Sequence, residues 1–341
     1  MEDLGTRVPL APYTTLELGG PAACFASAHD VASLTRLLAH AEEREMPVVI
    51  LGGGSNLVVA DTGFDGLVIA MRMRGVTTTR QGDVVLVEAA AGEPWDELVD
   101  RTTLEGLAGL ECLSGIPGLV GATPIQNVGA YGQEVADTIA SVRVLDRVEK
   151  RVVELTPAQC EFGYRDSMFK RDPERYVVLS VVFALVPDGA ATVRYAELAR
   201  ALEGRPRDVR TVRETVIALR RAKSMVIDPV DPNRRSAGSF FTNPIVDASI
   251  ADALSAQHEN MPRWPQPDGR VKLAAGWLIE RAGITKGLRR GHVGISTKHA
   301  LALVHHGGGT TTELLALASE VQDAVRARFG VELHREPVLW R

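Results

Sequence analysis

Two glycine-rich stretches carry the plainest chemical signal in this chain. The first is Leu51-Gly52-Gly53-Gly54-Ser55-Asn56-Leu57, directly after the apolar run Val48-Val49-Ile50-Leu51. Successive glycines let a backbone approach a ligand closely and aim several N–H groups at an anion such as a pyrophosphate. The spacing is not the dinucleotide fingerprint, because the third glycine of G-x-G-x-x-G would fall on Leu57, and a P-loop's Gly-Lys-Ser/Thr is absent. Taken alone, the stretch reads equally well as a tight turn. The second stretch runs from Ser114 through Gly115, Gly118, Gly121, Ala122, Gln126, Asn127, Gly129 and Ala130 to Gly132. Residues 112–133 hold no charge but two prolines and five glycines. Such a segment suits close backbone packing around a large flat ligand, held by amide hydrogen bonds in place of charge. A long ordered loop is more often functional than not, and the two stretches together favour a nucleotide cofactor.

Other polar residues speak more weakly. Ser239, in Ser236-Ala237-Gly238-Ser239-Phe240-Phe241-Thr242-Asn243-Pro244, sets a hydroxyl against two aromatic residues. It lacks the G-x-S-x-G elbow and has no histidine near it in sequence, so on these residues alone it reads as an ordinary loop serine. Arg165, between Tyr164 and Asp166, could hold a carboxylate bidentately, although most surface arginines do not. His305 and His306 are adjacent, and neighbours on a strand point to opposite faces. No HExxH accompanies them, so they read as the polar approach to the next helix and no metal site is expected. Cys24, Cys112 and Cys160 are odd in number and widely spaced, which argues against a disulfide framework and a structural zinc site.

The elements that must position these residues divide the chain in two. Asp30 caps an expected helix over 30–45 that stacks Leu34, Leu37, Leu38 and Ala41. Pro47 ends it, and strands are expected at Val48–Leu51, Leu67–Ala70, Val84–Glu88, Ser141–Leu145, Val152–Leu155 and Tyr176–Leu185. The second half reads as helices over 209–225, 245–255, 271–282 and 310–328, the last opened by the capping box Thr310-x-x-Glu313, and a final strand from Val331 to Trp340. The break falls between about 186 and 210, where the polar EGRPRD segment interrupts the pattern. The many short strands with few helices between them make the first half an α+β sheet domain. The composition is that of an ordinary soluble globular protein: 38 basic against 43 acidic residues give a net charge of -5. No basic stripe suggests nucleic acid or an anionic membrane as main partner. The longest greasy run, Val177 to Val186, is about half a membrane span. The opening MEDLGTRVPL lacks a basic region followed by an apolar stretch, so no secretory leader is expected and the expected location is cytoplasmic.

Six segments occur here in one order: GGGSNLVV, SGIPGLVGATPIQNVGAYG, FGYRDSMFK, SAGSFFTNP, AAGWLIERAG and LHREPVLW. Together they resemble the UDP-N-acetylenolpyruvoylglucosamine reductase (MurB) family, over about residues 12 to 340. The resemblance implies a vanillyl-alcohol-oxidase-type (PCMH-like) FAD-binding domain over 12–188, in two lobes of about 12–75 and 76–188. It also implies a smaller α+β substrate domain over 189–330, and a terminal strand over 331–341 that carries Glu336 to the active site. It implies non-covalent FAD held by Gly52, Gly53, Gly54, Ser55, Asn56, Ser114, Gly115, Gly118, Gly121, Ala122, Gln126, Asn127, Gly129 and Ala130, with NADPH as hydride donor. The substrate implied is UDP-N-acetylglucosamine enolpyruvate, a small molecule, with no protein partner inferred. By motif match Ser239 is the proton donor, Arg165 and Glu336 lie at the substrate carboxylate, and Tyr164, Tyr195, Lys223 and Asn243 bind substrate. Tyr195, in Val193-Arg194-Tyr195-Ala196-Glu197-Leu198, resembles the closing residue of a tyrosine loop. Arg281 is a departure, standing where some members carry a substrate-touching glutamine. Another FAD-dependent oxidase or dehydrogenase of the same fold would have no use for the Ser239, Lys223 and Glu336 set. A non-catalytic sugar-nucleotide binder would have no need of the flavin-cradling loops.

Overall fold

The helix expected over 30–45 forms as Val31–Glu43, and its start is set by reciprocal hydrogen bonds. Ser33 N–H donates to Asp30 Oδ1 at 2.6 Å, and Asp30 N–H donates to Ser33 Oγ at 3.0 Å. In the computed structural model, which describes residues 4–341, Leu34, Leu37 and Ala41 of this helix are buried. They belong to the same core as Leu67, Ile69 and Met71. The strands here run in the order Gly5–Pro9, Pro21–Ala28, Phe64–Met71, Val48–Leu51, the last two parallel with Leu51 opposite Ala70.

A second, antiparallel sheet has the order Arg151–Leu155, Ile139–Asp146, Tyr176–Pro187, Val84–Ala90, Val76–Gln81, with Leu107–Ala108 paired to the end of the long strand. Val181 lies opposite both Val142 and Ala89, so alternate residues Val87, Ala89, Val142, Val144, Val181 and Phe183 share one buried face. Four α-helices among the described residues were not expected from sequence: Trp95–Leu104, Pro157–Cys160, Met168–Arg171 and Ala196–Ala201. Trp95–Leu104 presents Trp95, Leu98 and Val99 inward, and the Trp95 indole N–H donates to Leu113 O at 3.1 Å.

Contacts group residues 4–8, Ala22–Gly53 and Asp65–Ile227 into one compact unit, and Pro9–Pro21, Gly54–Phe64 and Asp228–Arg341 into another. This differs from the expected division at 188/189. Residues 189–227 join the first unit because Leu198, Leu202, Val212 and Val216 bury their apolar faces with Cys112. The N-terminal pieces Leu16, Leu18 and Val58 lie in the second unit's core.

That second unit is organised around the helix Thr311–Phe329. Thr310 caps it, Gly330 ends it at a left-handed φ of 67°, and Leu314, Leu317, Val321 and Val325 form its buried stripe. Two expected helices begin later than the sequence suggests. Ile245–Val246 and Val271–Leu273 are strands that pair with each other, Ile245 opposite Lys272, and the helices are Ala248–Gln257 and Ala275–Arg281. The expected terminal strand shortens to Val338–Trp340, parallel to Leu57–Val59.

His305 is no surface approach to the helix but the end of the strand Leu303–His305, 5% exposed. Its Nδ1 donates to Leu16 O at 3.0 Å and its Nε2 accepts from Gly309 N–H at 3.0 Å, which requires the neutral ring. Burial pushes its pKa below the ordinary 6.5, and burial with nearby Arg289 does the same to His306. A group depressed in the folded state binds its proton preferentially when unfolded. Stability is therefore expected to be fully present above about 6.5 and to fall as the pH drops from there through the folded values. His305→Gln should remove part of that slope in urea unfolding series. A variant that keeps the whole slope would refute the assignment.

Candidate active site

The two glycine stretches meet at their backbones in the first unit. A Cβ on Gly53 would lie 2.6 Å from Gly118 Cα, closer than real Cβ atoms come, so no side chain fits between them. Gly121 donates to Ala91 O and Trp95 N–H donates to Gly118 O, tying the long stretch to the helix Trp95–Leu104 and the strand before it. Ser114, fully buried, turns its hydroxyl inward to Glu111 O at 2.6 Å. Asn127 is also consumed internally. Its amide donates to Glu134 and Gly163 O, and its carbonyl oxygen accepts from Ala136 N–H. These two expected cofactor residues therefore spend the Ser114 hydroxyl hydrogen and the Asn127 amide on shaping the loop. Gly54, Ser55 and Asn56 belong to the second unit, where a Cβ on Gly54 would lie 1.9 Å from Tyr13 O at a φ of +65°.

Arg165 sits in a tight turn closed by mutual hydrogen bonds of Gly163 and Asp166, with its own φ at 54°. Its guanidinium donates to Gly129 O at 2.6 Å and to Asn127 O at 3.4 Å, and lies 5.6 Å from the Tyr164 ring centroid. The expected carboxylate-binding arginine is thus pinned to the neutral glycine stretch.

Lys223 and Tyr195 come together with two residues that motif reasoning did not single out. Lys223 Nζ binds Glu197 at 2.6 Å and stands 5.8 Å from the Tyr131 ring centroid, while Tyr131 and Tyr195 meet edge-on at 5.6 Å. Burial pushes the Tyr131 phenol up to about 12 and also raises Tyr195, so both stay protonated. Behind them the helix Val209–Ala222 buries Arg220, whose Nη2 donates to Met225 O at 2.7 Å and whose Nε has no hydrogen-bond partner among the described residues. That atom would lie 3.5 Å from a Cβ on Gly115. A buried guanidinium with an orphaned donor is costly unless an acceptor arrives. The helix is anchored by Arg213, which binds Asp96 at 2.7 Å and Asp100 at 2.9 Å. Cys112 donates its thiol to Thr192 O, and burial holds it protonated with a pKa of about 12, so it presents no reactive thiolate.

In the second unit Ser239, Glu336 and Asn243 lie on adjoining segments. Glu336 N–H donates to Phe240 O at 2.9 Å, and Phe241 bridges Arg335, which sets the Glu336 segment beside the serine. Asn56 donates to Glu336 O at 3.3 Å, tying the first glycine motif to the same place. Phe240 and Phe241 are both 1% exposed. Asn243 Oδ1 accepts from Ala275 N–H at 2.9 Å, so its carbonyl holds the start of a helix. Sequence reasoning missed His299, whose Nε2 stands 3.3 Å from Ser239 Oγ. Sixty residues separate the two, and no spacing rule connects them. Arg281 is not part of this group. It lies 5.7 Å from the Trp277 ring, on a cavity of about 370 Å³ lined by Gln257, His258, Glu259, Trp277 and Arg328.

Two family models match the chain: an FAD binding domain over residues 22–156, and the C-terminal domain of UDP-N-acetylenolpyruvoylglucosamine reductase over residues 228–340. The chain is 51% identical to the UDP-N-acetylenolpyruvoylglucosamine reductase of Thermobifida fusca, covering 98% of this chain and 97% of that one. It is 50% identical to the enzyme of the same name from Saccharopolyspora erythraea, covering 97% and 94%. Among solved structures, the crystal structure of UDP-N-acetylenolpyruvylglucosamine reductase from Thermus caldophilus matches with a TM-score of 0.70 at 27% identity, over 100% of both chains.

Proposed function

The chain belongs to the UDP-N-acetylenolpyruvoylglucosamine reductase family, and from that premise we propose how its residues divide the reaction. The enzyme is an FAD-dependent reductase that converts UDP-N-acetylglucosamine enolpyruvate to UDP-N-acetylmuramate with NADPH, a step of peptidoglycan precursor synthesis. Bound FAD supplies the two-electron transfer between NADPH and substrate. The bare backbone contact of Gly53 with Gly118, the neutral loop 114–132 and the orphaned Arg220 Nε fit a large planar cofactor that carries acceptors.

Hydride addition to one vinyl carbon builds negative charge towards the substrate carboxylate, and groups placed there favour the transition state over the ground state. Arg165, held by the carbonyls of Asn127 and Gly129, is the cation assigned to that charge, and the family motif assigns Glu336 to the same substrate group. Ser239 delivers a proton to the adjacent carbon. The single observation that carries this reading is the Glu336 N–H bond to Phe240 O, which holds the Glu336 backbone beside the serine segment. Lys223 binds the sugar-nucleotide phosphates, Asn243 offers its amide, Tyr164 lines the substrate, and Tyr195, 44% exposed, closes over it. UDP-sugars and NADPH are soluble metabolites, which supports a cytoplasmic enzyme acting on small molecules. Among the described residues no helix is long and apolar enough to cross a membrane.

The Lys223–Glu197 pair has a consequence for affinity, since a phosphate must displace the carboxylate to reach the ammonium. Both side chains are 34% exposed, and such pairs contribute about 0.2–1 kcal/mol. Glu197→Gln is expected to tighten sugar-nucleotide binding by about 1.4- to 5-fold in calorimetry, which is that range converted. Weaker binding in the variant would remove Lys223 from the phosphate site. The whole reading is tested by visible absorption. Flavin bands should bleach with NADPH and return without oxygen when the enolpyruvyl substrate is added. Bands that return only with oxygen would point to a different flavoenzyme.

A further inference from the structure

Ser239 is not presented alone. Phe240 N–H donates to Leu301 O at 2.8 Å and Ser236 bridges Val304, which lays the serine segment along residues 301–304. The turn before it, 296–302, is tightly built. Ser296 is fully buried, and its Oγ accepts from the N–H groups of Lys298 at 3.2 Å and His299 at 3.3 Å. Ser296 N–H reaches Ala302 O, and Ala302 N–H reaches His299 O. From outside, Lys298 pairs with Asp231 at 3.1 Å, and Asn233, 2% exposed, grips Thr297 through its N–H and hydroxyl. The result fixes the His299 backbone on both sides and sets its Nε2 at 3.3 Å from Ser239 Oγ.

We infer that His299 is the positioning residue that orients Ser239 and returns its proton during substrate reduction. This rests on the reading of Ser239 as proton donor. A serine hydroxyl that donates to its neighbour has no proton to aim at substrate. One that accepts from a histidine N–H turns its own hydrogen outward. In the step itself the Ser239 O–H bond breaks as a C–H bond forms at the carbon next to the one that received hydride. The doubly protonated His299 ring gives its Nε2 proton to the serine oxygen, which restores the serine O–H bond. The ring is left neutral with its remaining hydrogen on Nδ1 and then takes up a proton from solvent. The net proton is the one that reduction by NADPH consumes, so no further reactant is needed. A neutral hydroxyl is a poor acid by itself, and a relay of this kind is what makes it competent. The charged groups on the adjoining segments are Lys298 with Asp231, Glu336 beside Phe240, and Arg235 paired with Glu17.

The test is single-turnover mixing, without oxygen, of NADPH-reduced holoenzyme with the enolpyruvyl substrate. His299→Ala is expected to slow this phase by about 10-fold or more, with flavin reduction by NADPH unchanged and the lost rate partly restored by added imidazole. The double variant with Ser239→Ala should be no slower than Ser239→Ala alone, because both residues lie on one proton path. A His299→Ala phase as fast as wild type, or a full further loss in the Ser239→Ala background, would overturn the role of His299 and leave that of Ser239 standing. A fast phase in Ser239→Ala itself would instead remove the underlying reading. Should His299→Ala fail to fold, His299→Gln keeps an N–H donor without a titrating ring. Wild type should then slow on the alkaline side and the glutamine variant should not, and matching pH profiles would overturn the proposal.

Discussion

Ser239→Ala is expected to slow reduction of the enolpyruvyl substrate by about 10²- to 10⁴-fold while leaving reduction of the flavin by NADPH at its wild-type rate. The two half-reactions separate because only the second forms a new C–H bond from a protein proton. The hydroxyl sits where an alanine should be tolerated, since its neighbour Phe240 is 1% exposed and is held through its backbone to Leu301 and Glu336. The fold of the segment therefore does not depend on the serine oxygen. Stopped-flow traces in the two directions supply the measurement. Equal losses in both phases would mean that the serine affects the cofactor and not the proton. Ser239→Cys is a useful companion, because it retains an ionisable hydrogen at nearly the same place.

The second large effect concerns the cofactor. Gly53→Ala is expected to weaken FAD binding by up to about 100-fold, because its Cβ would stand 2.6 Å from Gly118 Cα and 3.1 Å from Gly118 C. Both neighbours are backbone, so no side chain can swing away, and overpacking of this kind costs about 1–3 kcal/mol. The strain falls between the two stretches that would hold the cofactor, so the loss should appear in flavin titration of the apoprotein. Gly276→Ala serves as the matched control. Its Cβ would meet Leu301 at an ordinary 3.7 Å within a helix, and stability there should hold or rise by up to about 1 kcal/mol. Unchanged flavin affinity in Gly53→Ala would show that the close contact is not part of the cofactor cradle.

Much of the architecture was legible wherever hydrogen bonds run between near neighbours. The helices Val31–Glu43 and Thr311–Phe329 announce themselves through the cap Asp30, the capping box Thr310-x-x-Glu313 and a 3.6-residue apolar period, and both form with the predicted caps. The long strand Tyr176–Pro187 is readable from its run of branched apolar residues. Legibility failed where a short apolar piece could be either helix or strand. Ile245–Val246 and Val271–Leu273 were absorbed into helices by their period, yet each becomes a strand because the other lies opposite it. The helix Trp95–Leu104 was missed for the converse reason: its inward residues are few, and Pro94 in place of a hydrogen-bonding cap hides its start.

The same distinction holds at the site. By itself the sequence determined the fold class, the glycine stretches and the residue types the chemistry needs, because these depend on local backbone freedom and on motifs contiguous in the chain. The tertiary structure alone decided that Ser114 and Asn127 turn their side chains away into the loop. It alone set Glu197 on Lys223, left Arg220 buried with an unanswered donor, and brought His299 to Ser239. Those partnerships join segments brought together by burial of apolar faces and closure of backbone pairs, such as Phe240 with Leu301, and no spacing in the chain records which distant polar groups that closure will leave in contact.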